Sequence, residues 1–159
     1  MSLSVLRQTL IPVTLPAAWL YRAVVVARNQ LYERGLCEVK QLPAPVVSVG
    51  NLTVGGSGKT PLVRRIAHHF LSKGWPVAVL SRGYRRRDNA PFVLVSDGQR
   101  LLASSFEAGD EALELARAVK GLAVAVGADR YHVGLELFRR LGPHLVVLDD
   151  GFQHRRLFR

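Results

Sequence analysis

A chain of 159 residues is long enough to bury one hydrophobic core. Its net charge of +10, from 22 Lys and Arg against 12 Asp and Glu, points to anionic partners: a nucleotide, acidic lipid headgroups or nucleic acid. A single cysteine, Cys37, excludes an internal disulfide and any cysteine-based zinc site. The five histidines show no metal-ligand spacing, since His68 and His69 are neighbours and point about 100° apart on a helix. No internal repeat or low-complexity tract is visible.

Leu10 to Ala27, LIPVTLPAAWLYRAVVVA, is strongly apolar. Pro12, Pro16 and Arg22 interrupt it, short of the about 20 predominantly apolar residues that a membrane span requires. No clean small-residue cleavage site marks a secretory signal. Trp19, Leu20, Ala23, Val24, Ala27 and Leu31 recur at helical spacing and predict an amphipathic helix from near Pro16 to about Glu33. Trp and Tyr beside Arg is the composition of a helix lying in a membrane interface. The same pattern suits a helix packed on the protein's own sheet, and the residues alone do not choose. After Gly35, Lys40 to Pro45 reads as a connector, so the expected division is an N-terminal segment at 1–45 and an α/β domain at 46–159.

Val46 to Val63 reads VVSVGNLTVGGSGKTPLV. Val46, Val47 and Val49 are the β-branched run of a strand covered on both faces. Gly55, Gly56 and Gly58 free the backbone to curl, so that successive N–H groups face one concavity at the start of a helix. Such a loop binds the β- and γ-phosphates of a nucleotide, ATP by this reading, with Lys59 reaching between them and the Thr60 hydroxyl available to Mg²⁺. The cradle comprises Thr53, Val54, Gly55, Gly56, Ser57, Gly58, Lys59 and Thr60. Thr53 stands where the pattern G-x-x-x-x-G-K-S/T has its first glycine. A glycine-rich turn with no ligand is the bland alternative, but such a turn needs neither the lysine nor the hydroxyl.

The helix opened by the phosphate turn runs to Lys73 and is closed by Gly74. Val77 to Leu80 is a second buried strand, followed by the basic loop Arg82 to Arg87. Phe92 to Val95, Asp97-Gly98 and Leu101 to Ala103 predict a hairpin. A helix over Ala112 to Val119, a strand over Leu122 to Val126, a helix over Arg130 to Leu141 and a strand over Leu145 to Leu148 complete the pattern. Alternation of this kind predicts a P-loop NTPase-like α/β fold, a mostly parallel sheet with helices on both faces, preceded by the amphipathic helix. Ligands of such sheets sit at the C-terminal strand ends, where the polar loops fall.

Three groups there have chemical readings. LVVLDD places a carboxylate at the mouth of a buried strand, where Asp149, with Asp150 sharing the work, can hold Mg²⁺ directly or through water; an ordinary strand-ending turn is the alternative. Asp110 precedes a helix and could take the proton of a phosphoryl acceptor, or could simply cap that helix. Arg82, nearest its strand end, is placed to reach a transferred phosphate. The remainder of its loop suits a phosphorylated substrate, an anionic membrane surface or plain solvent.

Taken together, SVGNLTVGGSGKTPLV, VLSRGY, AGDEALELA and LDDGFQHRRLFR, in that order over residues 46–159, resemble the tetraacyldisaccharide 4′-kinase family. The resemblance implies transfer of the ATP γ-phosphate to the 4′-hydroxyl of a lipid disaccharide 1-phosphate, at the cytoplasmic face of a bacterial inner membrane. It implies Asp110 as the catalytic aspartate, Lys59 as the phosphate-loop lysine, Asp149 and Asp150 as the Mg²⁺-linked pair, and a membrane role for the N-terminal helix. Thr53 matches the family's own variant of the loop. Members of the family continue beyond DDGFQH, so the chain is expected to be the N-terminal portion of such a kinase, with its activity in isolation in question. The GG-x-GKT turn is also similar to that of membrane-associated ATPase switches, although Val54 replaces the lysine they carry before the two glycines. Nothing resembles a nucleic-acid recognition helix or an RNA-binding aromatic strand, so no nucleic-acid partner is expected.

Overall fold

The computed structural model of the protein describes residues 19–32, 34–50, 58–151 and 156–159. The chain divides into two compact units, Met1–Glu38 and Val39–Arg159. In the first, residues 19–32 form helix α1, inside the span expected from the apolar spacing; Pro16 and Glu33 lie outside the described residues. Trp19, Leu20, Tyr21, Val24 and Leu31 are exposed on it, and the Arg22 guanidinium sits 5.8 Å from the centre of the Trp19 ring. Among the described residues no helix is long and apolar enough to cross a membrane.

The second unit contains β1 (Val46–Val49), α2 (Lys59–Ser72), β2 (Val77–Ser81), β3 (Val93–Asp97), α3 (Ser105–Ala108), α4 (Asp110–Ala118), β4 (Ala123–Val126), α5 (Arg130–Leu141) and β5 (Leu145–Asp149). The sheet order is β1-β5-β2-β4-β3. The first four strands are parallel and β3 is antiparallel to β4 at the edge. Short runs such as VAVL and LVVL become strands because both of their faces are covered. Val77, Val79, Val124 and Val147 face a core closed by Val63 and Ala67 of α2 and by Leu115 of α4. Ala78, Leu80, Ala125, Val146 and Leu148 face the other side, against Val133 and Leu137 of α5.

The connector 40–45 folds with this unit. Lys40 exchanges backbone hydrogen bonds with Arg156 and Phe158 at 2.8 Å, and Leu42 and Leu157 are buried in the α5-side core. The compact unit therefore begins at Val39, ahead of the expected boundary at residue 46.

The hairpin after β3 is shorter than its sequence predicts. Its turn forms, with Asp97 accepting hydrogen bonds from the amides of Arg100 (2.7 Å) and Gln99 (2.8 Å), bonds that hold the Asp97 carboxyl below its ordinary pKa. The returning segment makes one bridge, Ser96 to Leu101, and then stops. Pairing ends because Ser104 enters a capping box, its amide and hydroxyl both donating to the Glu107 carboxylate at 2.8 and 2.7 Å, which starts α3.

Gly109, at φ 82°, joins α3 to α4 and fixes how the loop after β2 lies. A Cβ there would stand 2.5 Å from the Tyr84 carbonyl oxygen, so only glycine lets the two backbones approach. The amides of Arg87 and Asp88 add bonds to the Phe106 carbonyl at 2.9 and 3.3 Å. The basic loop is thereby laid against the junction from which Asp110 begins.

Candidate active site

The parallel strands end on one edge, and the N-termini of α2, α4 and α5 open on the same edge. Gly58 precedes α2 in the left-handed conformation, φ 73°. The first turn of α2 carries no acidic residue, so the partial positive charge of its amides is left for an external anion. The loop residues Thr53, Val54, Gly55, Gly56 and Ser57 lie outside the described residues.

A cleft of about 800 Å³ opens above these strand ends. Gly58, Lys59 and Thr60 of α2 line it, with Arg82 and Tyr84 from the loop after β2, Asp149 and Asp150 from the end of β5, and Glu111 from α4. Three of the sequence-predicted groups, the lysine, the arginine and the acidic pair, thus share one cavity although they lie far apart in the chain. Lys59 Nζ donates to Asp150 Oδ1 at 2.8 Å, and Asp150 itself adopts the left-handed conformation, φ 57°. The Gly151 amide donates to the Val49 carbonyl at 3.0 Å, tying the loop after β5 to the end of β1.

Asp149 is the more deeply buried of the pair. Burial raises its pKa, Glu111 and Asp150 raise it further, and Lys59 and Arg130 oppose the rise. A carboxylate among other carboxylates, only partly compensated, is a seat for a cation. Among the described residues no three acidic, histidine or cysteine side chains converge tightly enough to hold a metal by themselves. This donor set fits Mg²⁺, which keeps several waters and combines one or two carboxylates with phosphate oxygens. Asp149, Asp150 and the Thr60 hydroxyl are the residues that could hold it.

Asp110 borders a different depression from the one that Lys59 lines. It is the first residue of α4 and is exposed, and it borders a second groove of about 530 Å³ together with Leu101, Ala103, Leu113, Glu114 and Arg117. The next residue, Glu111, about 100° further round the helix, lines the Lys59 cleft. The first turn of α4 is therefore a ridge with a carboxylate facing each depression.

The sequence reading missed Glu111, Tyr84 and Arg130. Arg130 opens α5 and is buried to 8% exposure. Burial lowers its pKa and Arg82 adds to the effect, while Asp150, Asp129 and Asp149 oppose it. Its Nη1 donates to the Ala128 carbonyl at 2.8 Å and its buried Nε has no partner among the described residues. Asp129 caps the same helix, accepting from the amides of Tyr131 (3.0 Å) and His132 (3.3 Å). The available signal was position: Asp129-Arg130 follows β4 on the edge that carries the other site residues.

Comparison with known proteins gives a consistent result. The family profile described as tetraacyldisaccharide-1-P 4′-kinase matches residues 10–159. A tetraacyldisaccharide 4′-kinase of Geobacter metallireducens is 51% identical over 139 residues, covering 87% of this chain and 41% of the relative. That of Aquifex aeolicus is 45% identical over 145 residues, covering 91% of this chain and 45% of the relative. A crystal structure of LpxK from Aquifex aeolicus, described as an apo form in complex with ATP, superposes with a TM-score of 0.86 at 44% identity. It covers 97% of this chain and 47% of that one. The chain thus spans less than half the length of these relatives.

Proposed function

The chain belongs to the tetraacyldisaccharide-1-P 4′-kinase family, and from that premise we propose that it carries the nucleotide-binding and catalytic part of a P-loop kinase. Its reaction is transfer of the γ-phosphate of ATP to the 4′-hydroxyl of a tetraacyldisaccharide 1-phosphate. The observation that carries this reading is the convergence of Lys59, Thr60, Arg82, Asp149 and Asp150 on one cleft at the C-terminal strand ends.

Each group has a task set by its chemistry. The amides opening α2 and the Lys59 ammonium hold the triphosphate. Asp149, Asp150 and Thr60 are the residues that would hold Mg²⁺, which would supply charge neutralisation to the phosphate oxygens. Lys59 exchanges its present carboxylate partner for phosphate. Arg82, with buried Arg130 behind it, meets the negative charge of the group in flight. Asp110 takes the proton of the 4′-hydroxyl as the bond from that oxygen to the γ-phosphorus forms and the bond to the β–γ bridging oxygen breaks, releasing ADP. Its exposed position on the α4 ridge suits contact with an acceptor entering from the groove side.

The helix at 19–32 is assigned to the membrane interface, at the cytoplasmic face of a bacterial inner membrane. Its support is the exposed Trp19, Leu20, Tyr21 and Val24 with Arg22 against the Trp19 ring. The acyl chains of the acceptor supply a reason for such an anchor.

Transfer of labelled γ-phosphate from ATP to tetraacyldisaccharide 1-phosphate by the complete protein, with and without EDTA, tests the proposal. Metal-dependent labelling of the lipid is expected. ATP hydrolysis with nucleotide-dependent self-association and no labelled lipid would replace the kinase by a membrane-associated ATPase switch.

A further inference from the structure

Lys59 and Asp110 border different depressions, so the distance from a phosphate held at α2 to the Asp110 carboxylate is set by how α4 is placed against α2. The two helices cover the same face of the sheet, with Val63 and Ala67 from α2 and Ala112, Leu115 and Ala116 from α4 in one core. Apolar burial of this kind is non-directional. It holds both helices on the sheet but defines their sliding along one another only weakly. An ion pair bridges them: Arg64 Nη2 donates to Glu114 Oε1 at 2.7 Å. Its placing is regular. Arg64 is four residues after Thr60 and Glu114 is four after Asp110, so each partner stands on the same helix face as its site residue, about 6 Å further along the axis. The Arg64 side chain is only 33% exposed, and its buried Nε has no partner among the described residues, so the guanidinium is drawn into the junction while its outer edge meets Glu114.

We propose that Arg64 and Glu114 are positioning residues for the transfer: their ion pair sets the register of α4, which carries the general base, against α2, which holds the nucleotide. The inference rests on the kinase reading and adds to it the contact that keeps its two halves in step. A charge-assisted hydrogen bond is directional where apolar packing is not, so it can select one sliding position among several that bury the same surface. Glu114 is 71% exposed, and solvent screens the pair, so its share of the stability is small. Its effect lies in geometry, because a displacement of about 1 Å between reacting groups can cost about 10²-fold in rate. Neither side chain takes part in proton or phosphoryl transfer; the pair acts through Asp110.

The test compares single-turnover transfer, ATP affinity and thermal melting of the complete protein with those of Arg64→Met, Glu114→Gln, the double variant and Arg64→Lys. Each neutral substitution alone should slow transfer by about 5- to 50-fold and leave ATP affinity unchanged. The double variant should be no slower than the singles, because the same contact is lost once, and Arg64→Lys should recover part of the rate. In an Asp110→Asn background, Arg64→Met should slow transfer little further, since the carboxylate it positions is already gone. A pair that only braces two helices would lower the melting temperature and leave the rate unchanged, which would overturn the proposal. Losses that multiply in the double variant, or an equal further loss in the Asp110→Asn background, would overturn it as well. Absence of transfer by the unsubstituted protein overturns the kinase reading, and this inference with it.

Discussion

Lys59 and Asp150 stand 2.8 Å apart, Nζ to Oδ1, joining the first turn of α2 to the end of β5 across the floor of the cleft. The lysine side chain is 27% and the aspartate 58% exposed, so the pair contributes no more than about 0–1 kcal/mol to stability. On the proposed kinase reading the pair holds the ammonium where a phosphate would replace the carboxylate.

Lys59→Ala should therefore leave the urea midpoint almost unchanged, a shift worth less than about 1 kcal/mol, while ATP affinity falls by about tenfold or more. Equilibrium unfolding and isothermal titration with ATP check the two halves. A large loss of stability with unchanged ATP binding would make the pair a structural strut.

Asp149 gives a pH prediction of definite sign. Burial raises its pKa above the ordinary 3.8, with Glu111 and Asp150 adding to the rise. A carboxyl whose folded pKa is raised contributes stability in full below 3.8, and that contribution is lost as pH rises through the folded value. In metal-free buffer, Asp149→Asn should be more stable than the unsubstituted protein at pH 7, with the gain shrinking toward pH 4. Since Arg130 opposes the rise, the gain should be larger in an Arg130→Met background. Thermal melts across pH check both; a gain of constant size would show that packing and not charge is responsible.

Gly109 and Gly74 both have positive φ, 82° and 79°, but differ in surroundings. Nothing lies within 4 Å of a Cβ built at Gly74, whereas at Gly109 the Tyr84 carbonyl oxygen is 2.5 Å away. Gly74→Ala should cost only about 1 kcal/mol for its conformation. Gly109→Ala should cost about 2–4 kcal/mol and lower transfer as well, because the Arg82–Tyr84 loop must move. Denaturant titration with parallel activity assays separates the two; equal effects would contradict the contact.

Much of this was legible in the chain because its signals are local. Apolar runs of four or five residues ending in Asp or Ser marked strands buried on both faces, and α5 has the bounds its apolar spacing predicts, Arg130–Leu141. Lys59 and Thr60 were picked out by the glycine-rich loop that ends on them, and Arg82, Asp149 and Asp150 because each adjoins such a run; all five border one cleft because strand ends of a parallel sheet share one edge. What remained hidden depends on distant partners. The period of α4 orders Asp110 and Glu111 around the helix, but only the packed positions of β5 and the 97–105 segment decide which cavity each borders. Arg130 looks like an ordinary helix start in the sequence, and only packing buries it where its charge acts with those of Arg82, Asp150 and Asp149. The hairpin stops short of its predicted length because the apolar Leu101–Ala103 run does not reveal that Ser104 begins a capping box.

The central claim is that Asp110 deprotonates the sugar hydroxyl while the neighbouring cleft holds the nucleotide. Single-turnover transfer of the γ-phosphate to tetraacyldisaccharide 1-phosphate by the complete protein, compared with Asp110→Asn, tests it most directly. The expected result is a loss of about 10²- to 10⁴-fold in the rate of transfer with ATP affinity retained. Transfer at the unsubstituted rate, or an equal loss in ATP binding, would contradict it.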